Sequence, residues 1–144
     1  SRALLVAAWD PFVFLYPRGV LAETEPGHVT CWSVLSGARS RHRLTRTGER
    51  SFDLEPLDRP LLAGGAFGFD ALFRAPDHPF AVGDTFDQCG ATIRVAAVTG
   101  GKPAKLSVSF RRRLDDPKLA FLVWRDRRVE RLALPAVGAS IELP

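Results

Sequence analysis

The sequence contains no methionine, one tyrosine and only two cysteines among its 144 residues. Because translation starts at methionine, we expect a processed chain or a piece of a longer one. No run of 18 apolar residues occurs, which excludes a complete transmembrane helix from this sequence. The composition, 46% apolar and 25% charged, excludes a disordered chain, a collagen-like repeat and a coiled coil. What remains is a globular chain long enough to bury a hydrophobic core.

The two cysteines, Cys31 and Cys89, are too few for a zinc site, and no histidine stands at ligand spacing from them. Two alternatives remain. They form one disulfide in an oxidising compartment, or they are two buried free thiols, which is the interpretation we favour from the sequence. No metal ligands and no cofactor are predicted.

Proline and glycine interrupt the chain every few residues, with 11 and 12 copies, and leave little room for long helices. The clearest strand follows Gly100-Gly101, where residues 104–111 alternate strictly between apolar and polar side chains. This period of two is typical of an antiparallel strand with one wet face. Hairpin-linked segments about ten residues apart continue to the last strand at residues 140–143. The sequence therefore predicts a mainly β fold, an antiparallel sandwich or a small barrel.

The middle of the chain is irregular and rich in proline and glycine, notably over residues 56–80. We expect one β-rich domain over residues 1–144, with an alternative in which an irregular half, 1–75, packs on a β-meander, 76–144. Two aromatic stretches in the first half are candidates for contact with a protein partner. Their residues are Phe12, Phe14, Tyr16, Phe67, Phe69 and Phe73.

The net charge is +4, and its most suggestive source is the basic segment 39–50. Its arginines could contact an anionic membrane surface or the phosphates of a nucleic acid. The structural alternative is a solvated loop, or a pair of charged edge strands around a turn at Thr47-Gly48. The candidate contact residues are Arg39, Arg41, Arg43 and Arg46.

No catalytic constellation is evident. Asp77-His78 is the one place where a carboxylate adjoins an imidazole, and no nucleophile motif accompanies it. The glycine-rich segment 63–69 is neither a phosphate-binding nor a dinucleotide-binding motif. We therefore predict a chain that is not an enzyme.

These observations favour a non-catalytic β-module, extracytoplasmic or membrane-proximal, that docks onto a larger assembly or onto the rest of its own polypeptide. Arginine outnumbers lysine 17 to 3, a bias typical of a GC-rich bacterial genome. The alternative function is a nucleic-acid-binding β-barrel that uses the basic segment, although the modest net charge makes nucleic acid the weaker partner.

Overall fold

The computed structural model describes residues 2–7, 31–37, 40–58 and 79–144. The six aromatic contact candidates, Arg39, the Asp77-His78 pair and the glycine-rich segment 63–69 lie outside these ranges. Within them the chain is mainly β. The strands are β1 (Arg2–Ala7), β2 (Cys31–Val34), β3 (His42–Arg46), β4 (Ser51–Pro56), β5 (Thr85–Gln88), β6 (Ala91–Thr99), β7 (Lys102–Phe110), β8 (Leu119–Arg125), β9 (Arg128–Arg131) and β10 (Ser140–Leu143).

Six of these strands form an antiparallel sheet in the order β10-β3-β4-β7-β6-β5. The alternation predicted for β7 is confirmed. Leu106, Val108 and Phe110 are buried, whereas Ser107 and Ser109 point to the wetter face. The period of two therefore places one face of this sheet against the core and leaves the other polar.

The segment expected to be a loop or a pair of edge strands forms β3 and β4, joined at Thr47, whose amide donates to the Ser51 carbonyl at 3.1 Å. Both strands lie inside the sheet, so the edge-strand expectation is wrong. The strand pattern of β3 shows in the alternation of buried and exposed residues. His42, Leu44 and Arg46 are buried while Arg43 is exposed, and two polar residues at inward positions hide the strand pattern in the sequence.

The other four strands form a second sheet in the order β2-β1-β8-β9. Here β1 pairs parallel with both β2 and β8, a departure from antiparallel pairing throughout. Residues 3–7 of β1 are all buried, as expected for a strand covered on both faces. Parallel neighbours must be distant in sequence, and residues 8–30 separate β1 from β2.

The two sheets pack face to face around an aromatic contact. Phe121 of the four-stranded sheet meets Phe52 and Phe110 of the six-stranded sheet edge to face, with ring centroids 5.8 Å and 5.7 Å apart. Such geometry is the favoured one for aromatic pairs. The predicted β-sandwich is confirmed, and the described strands do not close into a barrel.

Three hairpins turn over two residues that both have positive φ. They are Cys89-Gly90 (50° and 80°), Gly100-Gly101 (59° and 76°) and Asp126-Arg127 (50° and 63°). Consecutive positive φ values define the type I′ turn, whose twist matches that of the flanking strands. Arg127 is poorly suited to its position, because its Cβ is crowded in the left-handed region, which glycine, asparagine and aspartate tolerate best.

Replacing Arg127 with glycine should therefore raise the free energy of unfolding by about 0.5–1 kcal/mol. Urea denaturation measures the change. The matched control is Gly100→Ala, where an added methyl group meets open space but φ is +59°, so stability should fall by about 1 kcal/mol. Equal stabilities for Arg127→Gly and the parent chain would contradict this account of the turn.

Candidate functional site

Cys31 and Cys89 form a disulfide, with Cα atoms 5.6 Å apart. The interpretation as free thiols, favoured from the sequence, is therefore wrong. Cys31 lies in β2 at the edge of the four-stranded sheet, and Cys89 lies in the turn after β5 at the edge of the six-stranded sheet. Next to the bond the Ser33 hydroxyl donates to the Gln88 side chain. The disulfide thus joins the edges of the two sheets.

The three described contact candidates of the basic segment, Arg41, Arg43 and Arg46, form ion pairs. Arg41 binds Asp58 through Nε and Nη2 at 3.3 Å and 3.0 Å, and this carboxylate raises the arginine's pKa. Arg43 lies 3.9 Å from Glu55. The charges of Arg41 and Arg43 are thereby opposed by neighbouring carboxylates.

Arg46 lies inward and is only 8% exposed. Its guanidinium donates to Asp115 at 3.0 Å and to the carbonyls of Gly48 and Pro135 at 3.2 Å and 3.3 Å. These bonds tie the β3–β4 turn to the connection between β7 and β8, through Asp115, and to the chain between β9 and β10, through Pro135. Arg46 is therefore placed to hold the fold together, whereas Arg41 and Arg43 remain at the surface.

The predicted aromatic contact residues fall outside the described part of the chain. Within that part, two large apolar side chains are well exposed, Val82 at 64% and Val137 at 55%. Contiguous apolar patches mark interaction sites, whereas scattered apolar residues do not. These two exposed valines do not by themselves mark an interaction site in the described part of the chain.

The described aspartates serve turns and ion pairs. Asp84 accepts from the Ala81 amide at 3.0 Å, and Asp116 accepts from the Lys118 amide at 2.8 Å. This amide, together with Arg112, lowers the pKa of Asp116. Over residues 2–7, 31–37, 40–58 and 79–144 no three potential metal ligands converge. In the same ranges no helix is long and apolar enough to cross a membrane.

One histidine is fully buried. His42 is 0% exposed, and its Nε2 lies 2.7 Å from the hydroxyl of the buried Ser36. Its Nδ1 has no hydrogen-bond partner within the described residues. Burial lowers the pKa of His42 to about 4, although the Ser40 backbone and the Asp58 carboxylate act in the opposite direction. The ring therefore stays neutral and out of reach of a ligand in solution.

A cleft of about 710 Å³ opens where the two sheets meet near the disulfide. Arg2 comes from β1, while Arg111 and Arg112 directly follow β7. The sequence analysis missed this site, since no local pattern connects residue 2 with residue 111. The lining residues are Arg2, Asp87, Gly90, Thr92, Ser109, Phe110, Arg111, Arg112 and Leu119.

The sequence matches no protein-family model, and comparison with curated proteins and with solved structures returns no similar protein.

Proposed function

We propose that this chain is a non-catalytic β-sandwich module that works outside the cytoplasm and docks onto a larger assembly or onto the rest of its own polypeptide. The observation that carries the proposal is the Cys31–Cys89 disulfide. Disulfides persist in oxidising compartments and are rare in the cytosol, where thiols are kept reduced. The Cys31–Cys89 bond, which joins the edges of the two sheets, would persist in an oxidising compartment.

The placement of the described ionisable groups supports a binding role. His42 is sealed in the core, whereas a general base must reach the proton that it removes. Asp84 and Asp116 hold turns through backbone amides. In these positions His42, Asp84 and Asp116 contribute to the stability of the fold.

For the docking surface we propose the two aromatic stretches, represented by Phe12, Phe14 and Tyr16 in one and by Phe67, Phe69 and Phe73 in the other. Protein interfaces are enriched in aromatic residues, and the described surface exposes only the isolated Val82 and Val137. The nucleic-acid alternative is not carried further, because Arg41, Arg43 and Arg46 are paired with carboxylates.

Thiol alkylation tests the compartment. The protein is isolated from its native source without reductant and treated with N-ethylmaleimide before mass spectrometry. We expect no adduct on Cys31 or Cys89 until a reductant is added, because disulfide sulfurs do not react. Alkylation of both cysteines without reductant would place the chain in a reducing compartment and contradict the proposal.

Size-exclusion chromatography of native extracts tests docking separately. Replacing Phe12, Phe14 and Tyr16 with serine should move the protein from a large complex to the volume of the free chain. The matched control replaces the exposed Val82 and Val137 with serine and should leave the elution unchanged. A parent protein that already elutes as a free monomer would refute docking onto a larger assembly and leave the disulfide result standing.

A further inference from the structure

We infer that the cleft lined by Arg2, Arg111 and Arg112 binds a small polar molecule that carries a phosphate or sulfate ester. The inference depends on the geometry of this cleft and not on the docking proposal. A volume of about 710 Å³ lies within the roughly 300–1,000 Å³ typical of small-molecule sites. It is larger than a bare inorganic anion needs and leaves room for a body beside the charged group.

The charge of the cleft favours an anion. Arg2 and Arg111 make no ion pair with any described residue, in contrast to Arg41, Arg43 and Arg46. Arg112 has one bond, from Nη1 to Asp116 at 3.0 Å, which leaves further donors on its guanidinium. A guanidinium presents paired N–H groups that match two oxygens of a phosphate or sulfate.

Arg2 is held in position without an anionic partner. Its backbone amide donates to the Lys118 carbonyl at 2.8 Å, and it begins a strand that is buried from residue 3 onwards. Its guanidinium lies against Gly90, where an added methyl group would overlap Nη1. Although Arg2 is exposed, this contact with Gly90 restricts where its charge can lie before any ligand arrives, which reduces the entropy cost of binding.

The remaining polar groups indicate a hydroxylated ligand body. Asp87 accepts from the Thr92 hydroxyl at 2.9 Å and retains lone pairs on both oxygens. The Ser109 hydroxyl donates to the Thr92 carbonyl at 3.4 Å, so its own oxygen can still accept. Acceptors beside three arginines suit an ester whose charged end meets the guanidiniums and whose hydroxyl groups donate to Asp87 and Ser109.

Titrations followed by ¹H–¹⁵N NMR test the inference on the intact chain at low ionic strength. The probes are inorganic phosphate and glucose 6-phosphate, with glucose and sodium chloride as references. We expect shifts of the Arg2, Gly90 and Arg111 amides with both phosphates, and tighter binding of the sugar ester. Arg2→Gln and Arg111→Gln should each raise its dissociation constant about tenfold, whereas Arg127→Gln, an exposed arginine outside the cleft, should not change it.

Vesicles that contain phosphatidic acid separate a lipid headgroup from a free ester. If the vesicles or the free ester bind, and Arg111→Gln weakens that binding, the site is supported. The ligand that binds more tightly then identifies the source as a lipid headgroup or a free ester. Three results would overturn the inference. They are equal shifts with chloride at matched ionic strength, unchanged affinity in both cleft variants, and absence of any shift at millimolar phosphate. None of them bears on the alkylation or elution experiments.

Discussion

Loss of the Cys31–Cys89 bond should lower the free energy of unfolding by about 4 kcal/mol, because the crosslink closes a long loop in the unfolded chain. The two cysteines are 58 positions apart, and the entropy removed from the unfolded state grows with the logarithm of that separation. A loss of this size corresponds to a fall in the melting temperature on the order of 10–15 °C for a chain of this length.

The bond also holds a short strand. β2 has four residues and, among the described strands, pairs with β1 alone, so the disulfide supplies its covalent tie to the other sheet. Thermal unfolding of the parent chain with and without reductant measures the effect. The double variant Cys31→Ser/Cys89→Ser should match the reduced parent and show no response to reductant. A reduced parent that melts at the same temperature as the oxidised one would show that the crosslink contributes nothing.

Acidification from pH 7 to pH 5 should cost about 2 kcal/mol of stability through His42 alone. Its pKa is about 4 in the folded chain, against 6.5 for an ordinary histidine. A depressed folded pKa means that the unfolded state binds the proton more tightly. The stability is therefore complete above pH 6.5 and is lost as the pH falls towards 4, where the total loss approaches about 3 kcal/mol.

Urea denaturation at pH 7 and pH 5 measures this loss while carboxylates remain mostly ionised. In His42→Gln the fall in stability between the two pH values should be about 2 kcal/mol smaller than in the parent, whatever that variant does to stability at pH 7. The variant His28→Gln/His78→Gln measures what the other two histidines contribute to the parent's slope. An unchanged slope in His42→Gln would show that the buried ring does not govern acid sensitivity.

Local pattern was sufficient to predict much of the six-stranded sheet. The strict alternation of Leu106, Val108 and Phe110 with polar residues identified β7, and Gly100-Gly101 identified its turn. β3 was harder, because His42 and Arg46 occupy inward positions that an apolar residue usually takes. Arg46 is tolerated there because Asp115 and two carbonyls satisfy its donors. Whether Arg46 can lie inward in β3 thus depends on hydrogen-bond partners that are distant in sequence, and the alternation of residue types does not reveal them.

Local sequence pattern could not predict the cleft or the disulfide, because both bring together residues that are distant in sequence. In the sequence, the carboxylates nearest to Arg111 and Arg112 are those of Asp115 and Asp116. Arg112 does bind Asp116, but Asp115 binds Arg46 instead. The approach of Arg2 to Gly90 depends on packing between the two sheets, and short-range periodicity contains no information about it.

The position of β1 has a consequence for how the chain acquires its structure. β1 lies between β2 and β8, and its Arg2 aligns with Leu119. During synthesis the apolar residues of β1 emerge from the ribosome long before β8 exists, so one side of the strand stays uncovered until translation has passed residue 119. Contacts so remote slow folding, and an exposed apolar edge promotes aggregation meanwhile. We therefore expect slow refolding from denaturant and a yield that improves when a chaperone shields the nascent chain.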